Sequence, residues 1–276
     1  SQVTVPNPLI EGVLIWPGQH AGFLGPKHDP FVLNSNPNTK EYKVNDLSLL
    51  DGLSVNRLGD RRKLLRTIDK QQRGIEQSLR GIKYSSQQQA AFSMLSSRKL
   101  KGALDVNAES AKVRDRYGRH KYGQTLLLAR RLAEAGSSVI SVAAGAAKDG
   151  WEYTNWDDHP GNNGREGHFA RFLKTRLPYM DEALSALIED IYTRGLDQKI
   201  LVVVLSEFGR TPMIRVGPPN GSTGRDHWPQ AYSAMVSGGG LKMGQVVGAT
   251  NSKSEYPTKS PHTPGDLLAT IYRHLG

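Results

Sequence analysis

Three short polar motifs in this 276-residue chain hold side chains suited to acid–base and metal chemistry. Trp156-Asp157-Asp158-His159, followed by Gly161-Asn162-Asn163 and His168, sets carboxylates beside imidazoles, the combination that a borderline or hard divalent cation takes. Ser206-Glu207-Phe208-Gly209-Arg210 offers Glu207 as a ligand or base and Arg210 as a fork for an anionic oxygen. Gly224-Arg225-Asp226-His227-Trp228-Pro229 puts a carboxylate and an imidazole side by side, with a guanidinium before them. Each motif alone has an ordinary structural reading. Asp-x-His can cap a helix or brace a loop, Glu207 and Arg210 can pair at a strand end, and Asp226 can staple a turn that Trp228 packs. Three such motifs at loop positions of one α/β unit point instead to an assembled polar site. Ser206 lies between Leu205 and Glu207, without the glycines of a nucleophile elbow, so the serine-hydrolase reading is poor.

The elements that must position these motifs are legible from apolar patterning. Residues 200–205, ILVVVL, are mostly β-branched and continuously apolar, which predicts a central strand buried on both faces, as in a parallel sheet under helices. Its C-terminal end, where Glu207 and Arg210 lie, is the edge at which open α/β sheets keep their ligand crevice. Residues 124–135 predict a helix with Leu126, Leu127, Leu128 and Leu132 toward the core, stopped by Gly136. A strand at 138–142 follows, then the Trp156–His159 loop. A long amphipathic helix at 168–194 has Leu177, Met180, Leu184, Leu187, Ile188 and Ile191 as its stripe and Gly195 as its stop. Further expectations are a strand at 231–236 and a helix at 264–274, with Thr263 as N-cap and Pro264 in its first turn.

The remainder is less patterned. Residues 1–43 are rich in proline, glycine and asparagine, with one strand-like run at 9–16 and a loop at 17–26. Residues 44–118 read as helical and polar, a cap or insertion on a single domain spanning 1–276; Leu58, Leu64, Leu65 and Ile68 recur at helical spacing, and glutamines crowd 87–89. The fold class expected is α/β, with a mostly parallel sheet joined by right-handed crossovers.

Composition narrows the function classes. The apolar fraction of 37% fits a globular protein, and no apolar run approaches membrane-spanning length, so no membrane partner is expected. Without cysteine there is neither a disulfide framework nor a thiolate metal site. A net charge of +10 favours anionic substrates. Arg57, Arg61, Arg62, Lys63, Arg66, Lys70 and Arg73 crowd one segment, and Arg98, Lys99 and Lys101 another. No interleaved aromatics accompany them, so a solvated helical face explains them better than a nucleic-acid surface.

Longer stretches carry a resemblance. GQHAGFLGPKHDPF (18–31), RYGRHKYGQTLLLARRLAEAG (116–136), the WDDH loop, LVVVLSEFGRTP, GRDHWP and SGGGLKMGQVVGAT (237–250) closely resemble an uncharacterised bacterial domain-of-unknown-function family of the alkaline-phosphatase and sulfatase-like superfamily. The resemblance implies a three-layer α/β/α fold with a metal-dependent hydrolytic site at the C-terminal strand ends. His227 looks like the late histidine ligand, and Asp157 with His159 like the earlier metal-binding loop. Glu207 and Phe208 stand where the superfamily has an Asp-His pair, so one ligand looks retained and one lost. The resemblance further implies export and an N-terminal portion with the first core strand, an acidic ligand and the nucleophile. On that resemblance this chain would begin after that portion, and no nucleophile is named.

These strands of argument give one expected activity, hydrolysis of a phosphate or sulfate ester in an anionic small molecule or polysaccharide. A divalent ion (zinc, manganese, calcium or magnesium) would assist, held among Asp157, His159, Glu207, Asp226 and His227. Glu207 and His227 would do acid–base work, and Arg210 and Arg225 would bind the anion. The competing expectations are a non-catalytic binder of anionic ligands on a degenerate hydrolase fold, and a metal-independent hydrolase using His227 with Asp226 or Glu207. An open strand edge would also favour a homodimer.

Overall fold

The computed structural model describes every residue except 1, 12–13, 41, 45–46, 48, 50–51, 73–90, 145–155, 161–168 and 218–221. Arg73, the glutamines at 87–89, Gly161 to Asn163 and His168 therefore lie outside the described residues.

The chain forms a mixed α/β structure around a small parallel sheet of three strands. Gln2–Val5 is its middle strand, flanked by Phe31–Val32 and Val139–Val142, with Val3 opposite both Phe31 and Ile140. Parallel strands need long crossovers, and the described residues between Val32 and Val139 are mainly helical. It contains Val55–Gln72, Arg98–Leu104, Ala111–Arg116 and Lys121–Glu134. The stretch 44–118 contributes the first three of these helices. Its C-terminal end also contributes to the core: Ala103, Leu104 and Val106 are buried with Val3, Val5, Leu33, Leu128 and Leu132.

The Lys121–Glu134 helix is buried over most of its surface, Gln124, Thr125 and Arg130 included, because it is covered on two sides. Leu128 and Leu132, one turn apart, join the sheet cluster, while Tyr122, Leu126 and Leu127 pack with Tyr117 against Ala183, Ala186, Leu187 and Ile191 of the Phe169–Thr193 helix. Each of these leucines is almost wholly buried, worth about 1.5–3 kcal/mol apiece. His120 caps the helix by accepting the Gly123 amide on Nδ1. Gly123 must be glycine in this packing, since a Cβ there would meet the Tyr117 carbonyl at 1.9 Å. Gly136 (φ +96°) and Gly195 (φ +66°) end the two long helices in left-handed conformation, as the sequence predicts.

The two helices are also joined by charge. The Arg130 guanidinium, with its side chain 1% exposed, lies 2.9 Å from Glu109, 2.6 Å from Glu134 and 3.0 Å from Asp190. Arg131 also pairs with Glu109, and Arg194 reaches Asp190 at 2.8 Å and Glu134 at 3.2 Å. Burial pushes the Glu109 carboxyl up, but hydrogen bonds and charge from Arg130 and Arg131 outweigh it and hold it below the usual range. Tyr117 donates to Asp190 at 3.0 Å, and burial with that carboxylate raises its phenol pKa.

Three expectations need correction. Leu201–Val204 is not the centre of a parallel sheet: it pairs antiparallel with Met235–Gly238 and is half-buried. Apolar continuity marks a strand but carries no information on which partner it finds. The strand expected at 231–236 accordingly forms four residues later. The Ala231 carbonyl is instead held against Gly209, where a Cβ would approach it to 2.0 Å. In the long helix the fully buried positions include Ala183 and Ala186, while Leu177 is 38% exposed; small residues make the close contact with the neighbouring helix. Outside the three-stranded sheet, all pairings among the described residues are antiparallel. The 9–16 run becomes one of them, Ile10–Glu11 against Leu14–Ile15.

The C-terminal helix Pro264–Leu275 starts in a capping box, with Thr263 and Asp266 each accepting the other's backbone amide. No helix among the described residues is long and apolar enough to cross a membrane.

Candidate metal centre

Two loop systems meet beyond the end of Leu201–Val204. Gly209–Arg210 pairs antiparallel with His227–Trp228, so that Arg210 lies opposite His227. The Thr211 amide donates to the Asp226 carbonyl at 2.9 Å, and the Asp226 amide donates to Thr211 Oγ1 at 3.1 Å. The second and third motifs are thereby one ribbon, joined by the Arg215–Gly217 and Ser222–Gly224 hairpin strands.

The first motif is pinned to this ribbon and to the long helix. Asp158 and Arg176 are both buried, with Arg176 Nη2 at 2.7 and 2.9 Å from the two carboxylate oxygens. The Arg176 guanidinium also lies over the Trp156 ring, 5.3 Å from its centroid. Burial raises the Asp158 pKa in spite of that arginine. The Asp158 carbonyl accepts the Arg225 amide at 3.1 Å, and Gly224 lies so close that a Cβ there would meet His159 and Pro160 backbone atoms at 2.4 Å. Glycine is required here by contact.

This packing converges Asp157, His159 and His227. Asp157 Oδ1 lies 2.8 Å from His227 Nε2 and 2.9 Å from His159 Nε2, and the two imidazole nitrogens are 3.0 Å apart. The three atoms form a near-equilateral triangle and could hold a metal ion together. A cation bound about 2.0–2.1 Å from nitrogen and oxygen donors needs its ligands about 3 Å apart, so the edges fit. The three side chains are 46%, 29% and 45% exposed, which leaves access from solvent.

Each ligand is held by a neighbour. Arg210 Nη2 donates to Asp157 Oδ1 at 2.6 Å and to the Trp156 carbonyl at 3.0 Å. Burial pushes the Asp157 carboxyl up, and hydrogen bonds from His227 and Arg210 outweigh it, so the group is held below the usual carboxylate range. His159 Nδ1 lies 3.0 Å from Asp226 Oδ1, and Asp226 Oδ2 accepts from Arg215 at 2.7 Å. The bond from His159, then Arg215, lowers the Asp226 pKa. Phe208 lies against the His227 ring, centroids 3.9 Å apart and planes 31° from parallel.

The residues singled out in the sequence thus fall into distinct places. Asp157, His159 and His227 meet. Asp226 reaches them through His159. Glu207 is exposed, and the ligating group forms without it. Arg210 directs guanidinium donors at Asp157 and at two backbone carbonyls, Trp156 and Arg225. Arg225 is half-buried between the loops. The sequence reading missed Arg176 and Arg215. Arg215 had a signal, since it sits 11 residues before Asp226 across a hairpin punctuated by Gly217, Pro218, Pro219 and Gly221. Arg176 had none, because a basic residue in a long polar-faced helix looks like solvent surface.

The protein family described as "Protein of unknown function (DUF1501)" matches residues 16–276, and the chain belongs to it. No curated protein and no solved structure matches the chain.

Proposed function

We propose that this member of the family is a metal-dependent hydrolase of phosphate or sulfate esters, of the alkaline-phosphatase and sulfatase-like kind. The observation that carries the reading is the convergence of Asp157, His159 and His227 donor atoms within hydrogen-bond distance of one another on a solvent-accessible edge. Two imidazoles and one carboxylate suit zinc or manganese better than calcium or magnesium, which take oxygen ligands. Bound there, such an ion supplies Lewis acidity toward an ester oxygen and lowers the pKa of water.

The chain's own residues account for the rest. Arg210 keeps Asp157 ionised and aimed, and its positive charge beside the ligands attracts an anionic ester. Arg225, tied by its amide to the ligand loop, is the second cation at this edge. The net charge of +10 agrees with an anionic substrate. Glu207 and His227 remain the proposed acid–base groups, with His227 divided between that role and ligation.

Elemental analysis of protein dialysed without chelator, followed by an aryl phosphate and aryl sulfate screen with the retained ion, tests the reading. About one equivalent of zinc or manganese is expected, lost in a folded His227→Ala variant together with turnover. A folded wild-type protein that retains neither ion when offered both is instead a metal-free hydrolase or an anion-binding protein.

A further inference from the structure

His159 faces a carboxylate through each ring nitrogen, and the two carboxylates are not equivalent. Nε2 points at Asp157 Oδ1 and His227 Nε2, into the ligand triangle, whereas Nδ1 points away from it at Asp226 Oδ1. An imidazole ligates only through a nitrogen that bears no proton, so the one proton of neutral His159 must sit on Nδ1 if Nε2 is to bind. Asp226 is placed to accept that proton's hydrogen bond. Its second oxygen is occupied by Arg215 at 2.7 Å, which fixes the carboxylate plane and leaves Oδ1 for the ring.

We propose that Asp226 is a positioning residue rather than a metal ligand: it commits His159 Nε2 to the cation, and Arg215 holds Asp226 in the pose that does so. The inference rests on the metal-centre reading above and assigns the roles within it. Carboxylates placed behind ligating histidines orient the ring and raise its basicity, and their loss weakens metal affinity about 10–100-fold.

An asparagine at this position meets a conflict that aspartate does not. Arg215 can only donate, so it takes the single amide oxygen. The amide NH2 is then turned toward His159 Nδ1, where it cannot accept a proton. The ring is driven to the Nε2–H tautomer, which cannot ligate. Removal of Arg215 frees the amide to rotate and present its oxygen to Nδ1. The pair therefore predicts a rescue that neither a ligand role nor a merely structural role produces.

The test is zinc titration of wild type, Asp226→Asn, Arg215→Leu/Asp226→Asn and His227→Ala, each checked by circular dichroism, with ring 15N spectra of the zinc-loaded wild type. Expected are a 10–100-fold weaker one-to-one affinity in Asp226→Asn, recovery of most of that loss in the double variant, and the His159 proton on Nδ1. Wild-type-like binding by Asp226→Asn, a folded double variant without recovery, or a proton on His159 Nε2 overturns the assignment. The spectrum decides even where a variant does not fold. Wild type that binds no zinc or manganese sinks the metal reading itself, an outcome distinct from binding that ignores Asp226.

Discussion

Around Arg130, three carboxylates close on one guanidinium in the interior; at the surface, the ring nitrogens of His159 and His227 and a carboxylate oxygen of Asp157 converge to within 3.0 Å of one another. Both clusters join distant parts of the chain, and both use the Phe169–Thr193 helix, through Asp190 in one case and through Arg176 in the other. In the first, opposite charges meet within the protein's own atoms, so the cluster is complete as a structural tie. In the second, the loops bring together three atoms that hydrogen-bond one another at the surface and that could equally turn to a cation. Polar density alone does not separate a tie from a candidate site. Exposure and the capacity of the converging atoms to ligate do.

The largest effects come from removing one member of each cluster. Arg130→Met should leave Glu109, Glu134 and Asp190 with only the more exposed Arg131 and Arg194 as partners, and cost about 3 kcal/mol in urea unfolding. His227→Ala should change stability by no more than about 0.5 kcal/mol without metal, yet abolish zinc binding. Comparable destabilisation by the two would erase the distinction between tie and site.

Next in size is the contact between the loops. Gly224→Ala places a methyl against the His159 and Pro160 backbone. It should cost about 1–3 kcal/mol in thermal unfolding and separate the ligands enough to lower zinc affinity. Full affinity in a folded Gly224→Ala would mean the triangle does not depend on that approach.

The pH dependence sharpens the comparison from the other side. The Glu109 carboxyl is lowered in the folded state, so its stabilisation is complete above the ordinary value near 4.5 and is lost as pH falls through the lowered one. Wild type should lose melting temperature over that acid window, and Glu109→Gln should start lower and flatten the loss. A smaller effect, remote from both clusters, serves as background: Thr263→Ala removes the capping box of Pro264–Leu275 and should cost about 1 kcal/mol, with zinc affinity unchanged.

What could be read in the sequence was local. The four leucines of the Lys121–Glu134 helix, its glycine stop, and the Thr263 cap follow from spacing that neighbouring residues define among themselves. The Gln2–Val5 strand escaped notice because four residues ending against Pro6 carry little pattern, and its place in the middle of the sheet depends on partners 28 and 137 residues away, at Phe31 for Val3 and Val139 for Gln2. The same limit applies at the site. Asp157, His159 and His227 were each legible as chemistry-bearing residues. Spacing could not show that Asp226, next to His227, would meet this group through His159 Nδ1. Nor could spacing reveal that Phe208, read as a lost ligand, would pack tilted against the His227 ring.

The Phe169–Thr193 helix has a mechanical consequence. Arg176 and Asp190 are 14 residues apart on it, which separates them by about 21 Å along the axis. Where it moves as one rod, the helix is a lever with its fulcrum at the Arg130 tie and its working end on the WDDH loop, and Pro178 between the two is the point at which the rod can bend. A tilt of about 5° at the fulcrum displaces the far end by about 2 Å, twice the misplacement that typically costs a catalytic constellation about 100-fold. A substitution that only loosens the fulcrum, such as Glu134→Gln, would thus detune the centre at a distance, with the loop's own residues untouched.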